Sequence, residues 1–137
     1  MPGFSSLISP TIMTTTFEFS LDSLLRTSGL AGEHAYIDYF RDTCSQRILE
    51  ANNVIFHMAD GKGEWDVDAE QRLRTATASV RLHLGFLRRA EFHFEGKPEI
   101  ARRFASRRQT AEEHAARALV HAKELAMMFD PLRTQPQ

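Results

Sequence analysis

The sequence predicts an all-α fold, an antiparallel bundle of three long helices preceded by a short helix. Three observations support this prediction. After residue 31, apolar side chains recur at steps of three and four, the spacing of one face of an α-helix. Glycine and proline lie between these stretches, where one helix ends and the next begins. A length of 137 residues with 42% hydrophobic side chains fits a single domain.

The first long helix is predicted at about 33–59. Its apolar stripe consists of seven side chains: Ile37, Phe40, Cys44, Ile48, Ala51, Ile55 and Met58. Upstream, a two-turn helix is predicted at about 20–28, with Ser20 as its N-cap and Gly29 as its stop. This short helix is expected to lie across one end of the bundle or to take the place of a fourth helix.

The second long helix is predicted at about 67–95 and the third at about 98–129. Gly96 separates them, because glycine tolerates the left-handed conformation that follows many helices. Asp130 and Pro131 predict the end of the third helix. The buried stripe of that helix contains four alanines, whose small side chains let a neighbouring helix approach closely: Ala111, Ala115, Ala118 and Ala122.

A single domain is expected over residues 17–131, with flexible extensions at 1–16 and 132–137. Weak alternation over 14–19 suggests an extended segment. No stretch is apolar enough to cross a bilayer, so no membrane association is expected. Because Cys44 is the single cysteine, no disulfide forms within the chain, and a cytoplasmic location is the default expectation.

Charge is distributed unevenly along the chain, although the formal net charge is −1. Residues 1–69 carry −6, residues 70–108 carry +6 and residues 109–137 carry −1. Two interpretations follow. The acidic and basic segments pair within the fold, or the basic segment faces an anionic partner.

Arginines form the most regular polar feature. Arg74, Arg81 and Arg88 are spaced by seven, which places them in one ridge beside the buried seam. Four further arginines extend this basic surface: Arg72, Arg89, Arg102 and Arg103. Internal pairing, docking of a protein partner and binding of nucleic acid phosphates are the three alternatives.

Aromatic residues near the helix ends suggest contacts beyond one core stripe. Trp65 lies in the turn between the first two long helices, where it staples the connection or anchors a partner. Phe86, Phe92 and Phe94 give the end of the second long helix more aromatic surface than one stripe can bury. This surplus predicts packing of the N-terminal segment there or self-association.

Metal ligands are sparse. His34 and Asp38 lie four positions apart on one helical face and could form half a site, and a surface role is the preferred interpretation for His34. His83 lies at the edge of a core stripe, which is typical of a hydrogen-bonded boundary residue. Nucleotide-binding and nucleophile-elbow motifs are absent from the sequence, so neither a metal nor a cofactor is expected.

Arg107 and His114 share a predicted helical face with six residues between them, and five residues separate Arg108 from His114. This spacing resembles the Arg-x4–6-His signature of HEPN-type helical ribonucleases. The resemblance implies a dimeric nuclease in which Arg107 and His114 act on the 2′-hydroxyl and the scissile phosphate. The sequence lacks the Asn, Asp or His that usually follows the arginine, and Arg88 and His93 also match the spacing.

The function predicted from these patterns is a non-enzymatic interaction or regulatory module that binds a protein partner, itself, or both through a helical face. A homodimer is expected because long helices with an alanine-rich stripe and surplus aromatic residues bury more surface in pairs. Nucleic acid binding through the arginine ridge is the first alternative, and a HEPN-like ribonuclease is the second.

Overall fold

The structure is a computed structural model that describes residues 19–60 and 67–134. The described elements are, in chain order: α1 (Leu21–Leu25), a 3-10 turn (Ala31–Glu33), α2 (His34–Asp60), α3 (Val67–His93) and α4 (Pro98–Thr134). Each long helix packs against the other two. The predicted all-α bundle with a preceding short helix is therefore confirmed. The extension predicted at 1–16, most of the extended segment predicted at 14–19, and Trp65 lie outside the described residues.

The direction of each helix follows from its contacts. Near the start of α2, Asp38 bonds Arg103 of α4, and near the end of α2 the ring of Phe56 contacts that of His121. These two helices are therefore parallel. α3 runs antiparallel to both, as the short connections predict.

The connection between α1 and α2 depends on one carboxylate. Glu33 Oε1 accepts hydrogen bonds from the backbone N–H groups of Ser28, Gly29 and Leu30, at 2.9–3.1 Å. Ser20 caps α1 as predicted, because its Oγ accepts from Ser23 N at 3.2 Å. Together these bonds satisfy donors that the helix ends leave unpaired.

Three predicted helix ends differ from the structure. α1 ends at Leu25 instead of near residue 28. α4 continues through Pro131 to Thr134 instead of ending near residue 129. Proline removes one backbone hydrogen bond, a loss that costs less in the last turn of a helix than in its interior. α3 ends at His93, and among the described residues the left-handed glycine is Gly29, with φ of 80°, rather than Gly96.

The core changes in character along the bundle. At the end where α2 and α4 begin, large rings fill the interior, and we call this the aromatic end: Phe40, Phe86, Phe94 and Phe104. At the opposite end, alanines interrupt the larger apolar residues, and we call this the alanine end: Ala51, Ala69, Ala76, Ala118 and Ala122. The alanine stripe predicted for α4 is buried as expected.

Packing at the aromatic end involves Phe19, which lies just before the N-cap of α1. The ring of Phe19 stacks on that of Phe40 with centroids 4.8 Å apart and lies 6.0 Å from that of Phe86. Phe94 stacks on Phe104 at 5.9 Å. Phe92, in contrast, is 71% exposed. The aromatic surplus is thus partly buried by the chain that precedes α1.

No helix in the described part of the chain is long and apolar enough to cross a membrane.

Candidate functional site

Ion pairs join α2 to α4 at the aromatic end. Arg103 donates two hydrogen bonds to the carboxylate of Asp38, at 2.9 and 3.0 Å, and Arg41 lies 3.3 Å from the same group. One turn further along, Arg107 Nε is 3.6 Å from Asp42 Oδ1. Part of the basic segment is therefore paired with the acidic segment, as the first charge interpretation expects.

A second set of ion pairs joins α3 to α4 at the same end. Arg88 donates two hydrogen bonds to Glu112, at 3.0 and 3.1 Å. Arg108 contacts both Glu91 and Glu112. The Arg88 and Arg108 guanidinium groups lower the pKa of the Glu112 carboxyl. Arg88, the last member of the predicted ridge, therefore acts within the bundle.

The remaining arginines of the predicted basic surface are arranged differently. Arg74 is exposed and contacts Glu70 of its own helix at 3.0 Å. Four others are exposed and have no carboxylate partner among the residues that the structure describes: Arg72, Arg81, Arg89 and Arg102. The predicted surface thus divides into arginines paired across helices and arginines that face solvent.

A groove of about 630 Å³ runs between α3 and α4 on the alanine side of the bundle. Its apolar walls and floor come from seven residues: Leu73, Thr77, Ala78, Leu119, Val120, Ala122 and Ala126. Three cations stand along it, Arg74 and Arg81 from α3 and Lys123 from α4. The groove is open to solvent.

Exposed apolar side chains continue this groove along α4. Val120 is 57% exposed and lines the groove, and Met127, two turns further on, is 60% exposed. Because α4 has 37 residues and α2 has 27, the last turns of α4 extend past the end of α2. Large exposed apolar side chains next to a concave surface are typical of a binding site.

A smaller cleft of about 250 Å³ between α2 and α4 brings together the residues of the nuclease hypothesis. Arg107 and His114 both line it. Asp42, Ser45 and Gln46 of α2 face them across the cleft. Arg107 is already engaged by Asp42, which reduces the positive charge available to a phosphate.

The predicted metal half-site of His34 and Asp38 is not completed by a third ligand among the described residues. Asp38 bonds Arg103 and contacts Arg41, so its carboxylate is occupied by two guanidinium groups. Within residues 19–60 and the described side chains of 67–134, no three His, Cys, Asp or Glu residues converge on one point. His34 is half-buried at the first position of α2.

Two buried polar side chains belong to the core. His83 is buried, and its Nδ1 lies 2.8 Å from the Ser79 carbonyl and 3.2 Å from Ser79 Oγ, as predicted for a boundary residue. Burial lowers the pKa of its imidazole. Cys44 is fully buried, and burial raises the pKa of its thiol to about 12, so a nucleophilic role is disfavoured.

The sequence predicted the α3 side of the α3–α4 groove but not its α4 side. Arg74 and Arg81 stood out by their seven-residue spacing, whereas Lys123, Val120 and Met127 were not selected. The available signal was the position of Val120 and Met127, which lie outside the alanine stripe of α4. Apolar residues off the core stripe predict a second contact surface.

Comparison of the chain with protein-family models, with curated proteins and with solved structures finds no match.

Proposed function

We propose that this chain is a non-enzymatic binding module that takes up an acidic amphipathic helix of a partner protein in the α3–α4 groove. The observation that carries the proposal is the combination of an apolar floor with the cations Arg74, Arg81 and Lys123 along one groove. Such a groove is complementary to a helix with one apolar face and carboxylates beside it.

The apolar part of the groove supports a helical ligand. Two helices leave a linear depression between them, and a third helix fits into it when the facing side chains are small. Ala78, Ala122 and Ala126 supply such positions here. Met127 adds a flexible, polarizable side chain next to the groove, a residue type that adapts to different apolar ligands.

The charge of α3 supports an acidic ligand. Between positions 71 and 90, this helix carries five arginines and no acidic residue. Of the three cations along the groove, Arg81 and Lys123 have no carboxylate partner within the described part of the chain. A partner carboxylate placed beside them gains electrostatic attraction and is steered toward the groove at low salt.

Two designed peptides test this proposal directly. Both carry leucine at helical positions i, i+3, i+4 and i+7, and they differ in having glutamate or lysine at the flanking positions. Fluorescence anisotropy measures their binding to the wild type and to three variants: Val120→Ser, Arg81→Glu and Arg117→Glu. Arg117 is exposed on α4 and does not line the groove, so it is the charge-matched control.

We expect the acidic peptide to bind and the basic peptide to bind far more weakly. Val120→Ser and Arg81→Glu should each raise Kd about tenfold, which corresponds to about 1.4 kcal/mol, whereas Arg117→Glu should change Kd little. No binding of the acidic peptide, or equal effects of Arg81→Glu and Arg117→Glu, would contradict the proposal.

The same variants distinguish nucleic acid binding and self-association. A single-stranded oligonucleotide that binds the basic surface should respond to Arg81→Glu but not to the uncharged change Val120→Ser. That result, without peptide binding, favours the arginine ridge as a nucleic acid site. Light scattering at micromolar concentration tests the homodimer: a species of 15.6 kDa alone would exclude it.

One observation favours the nuclease as a second candidate function: Arg107 and His114 both line the α2–α4 cleft. If these residues cleave RNA, His114→Ala should abolish cleavage while leaving peptide binding in the α3–α4 groove unchanged. RNA cleavage that persists in His114→Ala would exclude this role.

A further inference from the structure

The α2–α4 cleft, of about 250 Å³, has polar side chains at both of its ends. Facing residues of these parallel helices are offset by 65 positions, as in the contact of Asp42 with Arg107. The same offset places Leu49 beside His114 at the other end of the cleft. Seven residues of α4 rise about 10 Å at about 1.5 Å per residue. The cleft is therefore an elongated site between Arg107 and His114.

Ser45 lies between these two ends, and its hydroxyl has no partner. The Oγ atom is inaccessible to water and makes no hydrogen bond within the described part of the chain, although the residue lines the cleft. A buried hydroxyl in this state has given up its hydrogen bonds to water without replacing them, which is unfavourable. Rotation about the Cα–Cβ bond turns the oxygen toward a group in the cleft. A bound polar ligand would thus satisfy Ser45.

The cationic end of the cleft carries one positive charge more than its carboxylates neutralise. Two carboxylates, Asp38 and Asp42, are contacted by three guanidinium groups, those of Arg41, Arg103 and Arg107. Arg107 makes the longest of these contacts, at 3.6 Å, and its side chain is 52% exposed. A guanidinium binds phosphate or carboxylate through two parallel N–H groups. Arg107 is therefore the cation from which an oxyanion gains most.

Hydrogen-bonding groups continue from Arg107 toward the other end. Thr110 is exposed and His114 is half-buried, and neither makes a hydrogen bond or an ion pair with the residues that the structure describes. Hydroxyl and imidazole groups pair well with the hydroxyls of a ligand, which donate as well as accept. The buried Ala111 adds a small apolar surface between them.

We propose that the α2–α4 cleft binds a small metabolite with one oxyanion on a hydroxylated carbon chain, a sugar phosphate or a sugar acid. Its oxyanion contacts Arg107, and its hydroxyls follow Ser45 and Thr110 toward His114. Because long side chains on a helix lean toward its N-terminus, Arg107 leans away from His114, and one phosphate group does not reach both. The volume is below the roughly 300–1,000 Å³ of pockets for drug-sized ligands, which favours a ligand of about one sugar unit.

This inference goes beyond the proposed partner site. No residue of the cleft lines the α3–α4 groove, or the groove of about 370 Å³ between α2 and α3 that Val54 and Arg72 line. The cleft shares Arg107 and His114 with the nuclease hypothesis, but binding a metabolite requires no bond to be cleaved. Either idea can fail while the other stands, since RNA cleavage and metabolite binding are separate measurements.

NMR titration of the full chain with four probes tests the inference: ribose 5-phosphate, ribonate, ribose and inorganic phosphate. Two variants alter the cleft, Arg107→Gln and Ser45→Ala. Their matched controls are Arg117→Gln and Ser106→Ala, at positions that are exposed on α4 and do not line the cleft.

We expect ribose 5-phosphate, ribonate or both to bind saturably and to shift the amide signals of Ser45 and Ala111. Ribose and inorganic phosphate should bind about tenfold more weakly, because each offers only one part of the ligand. The tighter of the two anionic sugars identifies phosphate or carboxylate as the anion.

Arg107→Gln should raise Kd about tenfold and Ser45→Ala about threefold, whereas both controls should change it little. The urea midpoint of Ser45→Ala should not fall below that of the wild type, because the change removes a hydroxyl without a partner. A lower midpoint would show that this hydroxyl serves the core and would count against the site. No saturable binding of either anionic sugar, equally tight binding of ribose or inorganic phosphate, or equal effects of a variant and its control would overturn the inference.

Discussion

At the aromatic end of the bundle, large rings fill the core, and Arg88, Arg103 and Arg108 bond carboxylates of neighbouring helices, whereas Arg89 and Arg102 face solvent. At the alanine end, small side chains occupy much of the core, and Arg72, Arg81 and Lys123 face solvent beside two open grooves. The same arginine-rich segment of the sequence thus serves two purposes. Where carboxylates are available it joins helices, and where they are not it forms a cationic surface.

This difference has a physical origin in side-chain volume. Large side chains fill the space between three helices, which leaves little room for a groove. Alanines leave shallow depressions between the helices instead. The alanine end therefore has surface suited to a ligand, whereas fully buried rings such as Phe40 and Phe104 fill the aromatic end.

The largest expected effect comes from breaking the aromatic core. Phe104 is fully buried and stacks on Phe94, so Phe104→Ala should lower the free energy of unfolding by about 3–5 kcal/mol. Phe92→Ala, at an exposed position of α3, is the control and should change it by less than about 0.5 kcal/mol. Urea denaturation measures both. A loss below about 1 kcal/mol in Phe104→Ala would show that the aromatic end does not dominate stability.

Overpacking the alanine end should cost less. Ala118 is fully buried, and Ala118→Leu forces the surrounding helices apart, with an expected loss of about 1–3 kcal/mol. Ala116→Leu, exposed on the same helix, should stay within about 0.5 kcal/mol of the wild type. If both substitutions are tolerated equally in urea denaturation, the alanine end is not closely packed.

The ion pairs across helices should contribute a smaller amount. A double-mutant cycle with Arg103→Gln and Asp38→Asn is expected to give a coupling of about 0.5–1 kcal/mol at low salt, and less in molar salt. The pair Arg74 and Glu70 within α3 should couple by about 0.3–0.5 kcal/mol. The prediction fails if the pair within α3 couples more strongly than the pair across helices.

The smallest effect concerns pH. Burial lowers the pKa of His83, Arg47 lowers it further, and the hydrogen bond to Ser79 opposes this shift. Because the unfolded histidine titrates near about 6.5, the unfolded state binds the proton more readily. Stability should therefore decrease as the pH falls from about 6.5 toward the lower pKa of the folded state, and then level off.

Urea midpoints between pH 5 and pH 8 test this pH dependence. His83→Gln should show a weaker dependence than the wild type, whereas the exposed control His93→Gln should match the wild type. A wild type and a His83→Gln variant with parallel pH profiles would contradict the assignment.

The sequence predicted most of the fold because one signal, the spacing of apolar residues, is repeated over three long helices. The stripe of Ile37, Phe40 and Cys44 is buried as expected, and Ser20 caps α1. The predicted end of α4 was wrong because proline interrupts a helix less in its last turn than in its interior.

The candidate site was harder to predict, since it depends on which helix faces which. Regular spacing grouped Arg74, Arg81 and Arg88 into one ridge, but spacing along one helix does not show that Glu112 of another helix meets Arg88. Likewise, only the packing of α4 against α3 shows that Val120 lines a groove. Contacts between helices distant in sequence therefore determine which arginines remain available to a partner.

An NMR titration of the isotope-labelled chain with the acidic leucine-containing peptide tests whether the α3–α4 groove is the partner site. We expect chemical-shift changes at Thr77, Ala78, Val120 and Ala126, which line the α3–α4 groove, and little change at Asp38 and Arg103. Shift changes concentrated at the aromatic end, or none at saturating peptide, would contradict it.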